Sequence, residues 1–248
     1  MTVLAYHSVS PDWDDPLAVR PADFTDQMQA VARRRAVGLA DYVGAIRGGR
    51  STRGLMAVTF DDGYADNLAS GLDACAALGI RPAIFLATDH VDSGEPLGWR
   101  PETREANRPL TWDEVRTLAA AGWTIGSHTA GHEDLVAADD AALGCQLSRS
   151  KARVEQMLDA PCDYLSYPYG RHDERVRRAA EKAGYVAAFT LPTGREPHDG
   201  MYAIPRIGVF RDDSAWMVKA KISGLALAAK LAVFPSHPVA GSAEEVRA

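Results

Sequence analysis

Two pairs of residues in this sequence could do chemistry. Asp61 and Asp62 close the apolar run of LMAVTFDDGYADN (Leu55–Asn67), and His128 and His132 stand four residues apart in GSHTAGHEDL. Successive side chains of a strand point to opposite faces, so strand geometry alone does not aim both carboxylates at one target. Two like charges side by side also repel, and one is pushed toward protonation unless a cation or donor intervenes. Either the aspartates are turn residues facing water or something positive sits beside them. Two imidazoles four apart fall on one side of a helical turn. With one carboxylate they make a facial metal set that leaves positions open for water. An isolated HxxxH pair arises by chance; the Asp-Asp pair and a third polar strand end, SYPYG (Ser166–Gly170), give this one weight.

Residues so far apart in sequence need a scaffold that brings strand ends together. Strand-like apolar runs occur at TVLAY, LMAVTF, PAIFLA, WTIGS, DYLSY, VAAFT and YAIPRIGV. Helical patterns lie between most of them, at Tyr64–Leu78, Trp112–Ala121, Asp139–Leu158 and Glu174–Ala183. Alternating strand and helix predicts an α/β fold with parallel strands and crossover helices. About seven such strands predict a distorted or incomplete (β/α) barrel, whose chemistry sits at the C-terminal strand ends. His7, Asp61 and Asp62, Ser127 and His128, and Tyr167–Gly170 all fall at such ends.

Composition narrows the classes. A chain of 248 residues with 46% hydrophobic content can bury a substantial core. The net charge of −6 argues against a nucleic-acid partner, and VARRRAVG reads as the polar face of a helix. There is no internal repeat, low-complexity tract or linker-like stretch. Cys75, Cys145 and Cys162 show no CxxC spacing and read as buried free thiols. MTVLAYHSVS has no basic leader and no long apolar stretch, so no cleaved signal peptide is expected and the expected location is cytoplasmic.

TFDDGYADN, SHTAGH and SYPYG together resemble the polysaccharide deacetylase family, also called the NodB-homology or carbohydrate esterase 4 fold, over Thr2 to Val209. The resemblance implies a distorted (β/α) barrel that hydrolyses N-acetyl, sometimes O-acetyl, groups on amino sugars with a divalent metal. It implies Asp62, His128 and His132 as metal ligands, Asp61 as general base and the backbone N–H of Tyr169 as oxyanion donor. One carboxylate would then be pinned by the cation, and the other would take a proton from the attacking water. Zinc is the first expectation for the metal, with cobalt and nickel as alternatives, since all three suit imidazole and carboxylate.

The sequence departs from the commonest family pattern in two places. Many members carry an arginine before the proline turn to pair with the base; here that position is Ser166. Arg206, in IPRIG, could supply the cation instead, or serve only in a surface ion pair. Many members also carry a late LxH histidine as general acid, and nothing after Arg206 fits; His237 stands in a Pro-flanked tail. LAYHSVS resembles the YHxI/V opening of a branch that includes deacetylases of poly-N-acetylglucosamine. That branch implies His7 as the acid for the departing amine; otherwise His7 is structural and Asp61 serves as both base and acid.

Trp99, in a long polar loop, is a candidate for stacking on a sugar or for anchoring that loop. The helix-like segment Ser214–Phe234 carries too many lysines for a membrane span, and reads as padding of the barrel or, as a minor alternative, an interfacial helix. The expected organisation is a barrel over 1–212 and a C-terminal helix and tail over 213–248. The expected activity is metal-dependent removal of N-acetyl groups from an amino sugar or glycan. The alternatives are hydrolysis of another non-peptide amide on the same fold, or a carbohydrate-binding relative without catalysis.

Overall fold

The computed structural model of the chain describes residues 2–97, 108–191 and 200–223. The chain opens with β1 (Thr2–Tyr6), β2 (Ser8–Val9) and β3 (Ala18–Val19), then α1 (Pro21–Ala32), β4 (Arg35–Ala36) and α2 (Leu39–Arg47). Next come β5 (Leu55–Phe60), a π turn over Asn67–Gly71 that leads into α3 (Leu72–Ala76), β6 (Ala83–Leu86) and α4 (Thr88–Ser93). They are followed by α5 (Trp112–Ala120), β7 (Thr124–Ser127), α6 (Asp140–Leu158), β8 (Tyr164–Ser166) and a 3-10 turn over Pro168–Gly170. The described residues end with α7 (Glu174–Lys182), β9 (Ala187–Thr190), β10 (Ile204–Pro205), β11 (Ile207–Gly208) and α8 (Ala215–Ile222).

Eight strands run in the order β10-β9-β8-β7-β6-β5-β1-β11, and β4 adds to the start of β5. Every pairing along this path is parallel, as the strand and helix alternation predicts. The two ends of the path are neighbours in sequence: only Arg206 separates β10, which pairs with β9, from β11, which pairs with β1. Counted as one stave, they reduce the eight strands to seven around a distorted barrel.

The strands sort their side chains by the two-residue period. Leu4, Tyr6, Met56, Val58, Phe60, Ile84, Leu86, Ile125, Leu165 and Ala188 belong to the outer core, under the helices. Val3, Leu55, Ala57, Ala83, Phe85, Tyr164, Ala187, Phe189 and Ile204 form a second, inner cluster, which Leu39, Tyr42 and Val43 of α2 close at the strand starts. Gly126 is needed inside: a Cβ there would lie 2.6 Å from the Phe85 ring. Continuing the inner register one step past the apolar layer gives His7 after Ala5, Asp61 after Thr59, His128 after Gly126 and Arg206 after Ile204. The residues singled out by the sequence therefore stand over the apolar plug.

Several sequence expectations need correction. Tyr64–Leu78 is not one helix; Tyr64 makes an isolated bridge to Pro109, and regular α-helix is confined to Leu72–Ala76. VARRRAVG is not a helix face, because α1 ends at Ala32 and Arg35–Ala36 joins the sheet. Cys75 and Cys162 are buried thiols, but Cys145 is exposed. Trp99, His237 and Ser214–Phe234 beyond residue 223 lie outside the described residues. No helix among the described residues is long and apolar enough to cross a membrane.

Candidate metal centre

Backbone conformation answers the puzzle of the adjacent aspartates. Asp61 continues the inner register of β5, and its N–H donates to the Tyr6 carbonyl at 2.9 Å. Asp62 would then point outward, but it adopts a left-handed conformation with φ 72°, followed by Gly63 at φ 77°. That turn brings the Asp62 carboxylate to the same end of the barrel as Asp61. Thr129, His132 and Tyr169 also have positive φ, at 68°, 57° and 59°. Four of the five non-glycine residues with positive φ among the described residues therefore lie around one site. Such conformations cost about 1–2 kcal/mol each for ordinary residues, and here the surrounding fold holds them.

One ligand atom from each of Asp62, His128 and His132 lies within 4.8 Å of the others, and all three residues are buried. Asp62 Oδ1 stands 3.4 Å from His128 Nε2 and 3.3 Å from His132 Nε2, and has no hydrogen-bond partner among the described residues. A buried carboxylate oxygen facing two imidazole nitrogens at these separations is what a cation site needs. Ligand atoms on bonds of ~2 Å around a tetrahedral ion lie ~3.3 Å apart, so the donor set fits a divalent metal. Burial pushes the Asp62 carboxyl up, but His128 and His132 outweigh it and hold the group well below the usual carboxylate range. Burial pushes His132 down to about 3, which favours the neutral imidazole that a metal ligand requires.

The supporting contacts fix orientation. His128 Nδ1 lies 2.8 Å from the Ser166 carbonyl, so Nδ1 carries a proton and Nε2 is the ring nitrogen turned toward Asp62. The two histidines are not on a helical turn as the spacing suggests. They sit in a loop whose shape comes from the Thr129 N–H donating to Ser127 Oγ at 3.1 Å and the His132 N–H donating to Thr129 Oγ1 at 3.0 Å. The Tyr169 ring meets that of His132 edge-on, with centroids 4.8 Å apart. Gly170 at φ 68° packs where a Cβ would come within 2.4 Å of the Leu191 carbonyl oxygen, so the proline turn demands glycine there.

Asp61 has a different partner. Arg206 Nη1 donates to Asp61 Oδ1 at 2.7 Å and Nη2 to Oδ2 at 2.6 Å, a bidentate pair with both side chains buried. Arg206 also donates to Thr59 Oγ1 at 3.0 Å and Ser166 Oγ at 2.7 Å, and Ser166 Oγ donates to Asp61 Oδ2 at 3.3 Å. Burial alone raises the Asp61 pKa, but the charge of Arg206, then those of His128 and His7, bring it below the ordinary value. His7 is buried at the end of β1, within electrostatic reach of both aspartates.

A family model for polysaccharide deacetylase matches residues 48–188, more than half of the chain. The chain belongs to the polysaccharide deacetylase family. It is 31% identical over 153 residues to YxkH, described as a polysaccharide deacetylase, of Bacillus subtilis (strain 168). That match takes in 61% of this chain and 50% of the relative, so the chain spans about half the relative's length. The fold is similar to that of the Streptococcus pyogenes deacetylase PplD in complex with acetate, with TM-score 0.77 and 19% identity over 90% of this chain and 98% of that one. It is also similar to IcaB from Ammonifex degensii, with TM-score 0.71 and 22% identity over 89% of this chain and 96% of that one.

In this polysaccharide deacetylase family member, all seven residues nominated from the sequence gather at one barrel mouth: His7, Asp61, Asp62, His128, His132, Tyr169 and Arg206. Arg206 comes from the seam strand, and Ser166, which replaces an arginine of the commoner pattern, bonds to it. Sequence reading missed Thr59 as a member of that network and Thr129 as the shaper of the histidine loop. Thr59 was legible in principle, two residues before Asp61 on the inner register. Nothing in HTAGH announces a left-handed threonine.

Proposed function

We propose that this chain is a metal-dependent hydrolase that removes N-acetyl groups from an amino sugar or glycan. The observation that carries the reading is the pairing of a buried Asp62-His128-His132 donor set with a second aspartate kept ionised by a buried arginine. A divalent cation held by that set, zinc by first preference, would supply Lewis acidity for the amide carbonyl and lower the pKa of water. Asp61, ionised and oriented by Arg206, accepts the proton of the attacking water. The Tyr169 N–H donates to the oxyanion as the carbonyl becomes tetrahedral. His7 delivers a proton to the departing amine, which leaves far more readily protonated. The family match, 48–188, and the polar character of the mouth support an N-acetylated carbohydrate as substrate.

Acetate release from a chitooligosaccharide, measured with metal analysis, tests this. Asp61→Asn should keep the metal and lose turnover by about a hundredfold or more. His132→Ala should lose both. Wild-type protein that binds metal but releases no acetate from N-acetylated sugars would overturn the reading.

A further inference from the structure

The backbone ladder between β1 and β5 stops just short of His7. Its last rungs are the Tyr6–Phe60 register and the Asp61 N–H donating to the Tyr6 carbonyl. Beyond that point the left-handed turn at Asp62 and Gly63 carries the β5 chain away, and no backbone partner follows for His7 from that side among the described residues. Two side chains from the start of the next helical segment take the place of the missing rungs. Asn67 Nδ2 donates to the His7 carbonyl at 2.8 Å. Asp66 Oδ2 accepts from Ser8 Oγ at 2.5 Å, and Asp66 Oδ1 accepts from the Val9 N–H at 3.1 Å and from Asn67 Nδ2 at 2.9 Å. Three consecutive residues, His7, Ser8 and Val9, are thus gripped by one Asp-Asn pair. On the other side the Ser8 N–H donates to the Leu17 carbonyl at 3.2 Å.

The His7 ring lacks the usual alternative support. A histidine that moves protons is commonly oriented by a partner on its second ring nitrogen. His7 Nδ1 is buried and has no hydrogen-bond partner among the described residues. The hold on the backbone that carries the ring is therefore the hydrogen-bonded support that His7 receives on this side. We infer that Asp66 and Asn67 are positioning residues for His7, holding the β1–β2 turn so that its imidazole faces the departing amine. This inference rests on the acid role given to His7 above.

The test uses the zinc-loaded full chain and two substrates that differ in leaving group: a chitooligosaccharide, whose amine must be protonated, and 4-nitrophenyl acetate, whose phenolate leaves without a proton. In Asp66→Ala, kcat on the amide should fall about thirtyfold with KM within about twofold, and the ester rate should stay within about twofold. Asp66→Asn keeps one acceptor for the Val9 N–H and a hydrogen-bonding group for Ser8, and should recover to within about threefold of wild type. A second readout needs no turnover. The His7 ring resonance in histidine-labelled protein, identified by its loss in His7→Gln, should shift and broaden in Asp66→Ala, with His90 and His172 unmoved. The inference is overturned if amide and ester rates fall together, if neither falls, or if the His7 resonance stays in place. Wild-type protein that releases no acetate would defeat the deacetylase reading instead, and the His7 resonance alone would then decide the positioning role.

Discussion

At the scale of single residues, the site depends on keeping two adjacent aspartates in different electrostatic company. Asp62 faces two neutral-capable imidazoles, while Asp61 faces a guanidinium in a bidentate pair. Arg206 is consequently more than a structural cation. With Arg206→Met, burial is left as the largest influence on Asp61, and its pKa should rise instead of falling. The sign follows directly: a base of higher pKa is ionised only at higher pH, so the acid limb of the kcat profile should move upward. Arg206→Lys should restore charge but not the two-pronged grip, and give an intermediate limb. A buried carboxylate without its partner should also cost about 3–5 kcal/mol in urea unfolding. An unchanged pH limb in Arg206→Met would show that Arg206 does not govern Asp61. The pairing could be read from IPRIG as one of two options. The re-aiming of Asp62 could not, because a left-handed aspartate is specified by the turn around it, with only Gly63 as a hint.

At the scale of elements, the longer strands were legible because β1, β5 and β6 are buried on both faces almost throughout and read as apolar runs. The two-residue strands β2, β3 and β4 carry no such signal, since a pair of residues has no period. Helix α5 shows what a local signature can specify. Thr111 caps it, and Glu114 returns the favour in a capping box. Hydrogen bonding to Arg108 outweighs burial, which pushes the carboxyl up, and holds Glu114 at about 2, below its ordinary 4.5. A carboxylate lowered on folding contributes stability that is present above its ordinary pKa and lost as pH falls toward the folded value. Glu114→Gln keeps the capping acceptor and removes the charge. It should cost about 0.5–1 kcal/mol at pH 7, discounted because the side chain of Arg108 is 49% exposed. The difference from wild type should shrink between pH 4.5 and pH 2 in paired thermal melts. A difference that does not change over that window would remove the ion pair from the account.

At the scale of the whole molecule, alternation of strand and helix disclosed the barrel but not how it closes. The seam is one short stretch, Ile204–Gly208, that pairs with β9 through its first half and with β1 through its second. Arg206 sits at the changeover and points inward, so the residue that closes the ring also holds Asp61. Outside, α8 braces the same stretch. Lys221 Nζ donates to the Gly208 carbonyl at 3.0 Å and pairs with buried Asp213. Asp213 also accepts from the Phe210 N–H at 2.8 Å, and its carbonyl accepts from Gln27 of α1 at 2.5 Å. Lys221→Met should strand the Asp213 charge and cost about 3 kcal/mol or more, and Lys221→Met with Asp213→Asn should recover part of that loss. Because closure is shared by both ends of the strand path, the loss should appear as one transition. Far-UV circular dichroism and tryptophan fluorescence should give the same shifted urea midpoint. If the two probes separate, the seam opens before the rest of the barrel, and the ring is held by its inner plug instead of by this brace.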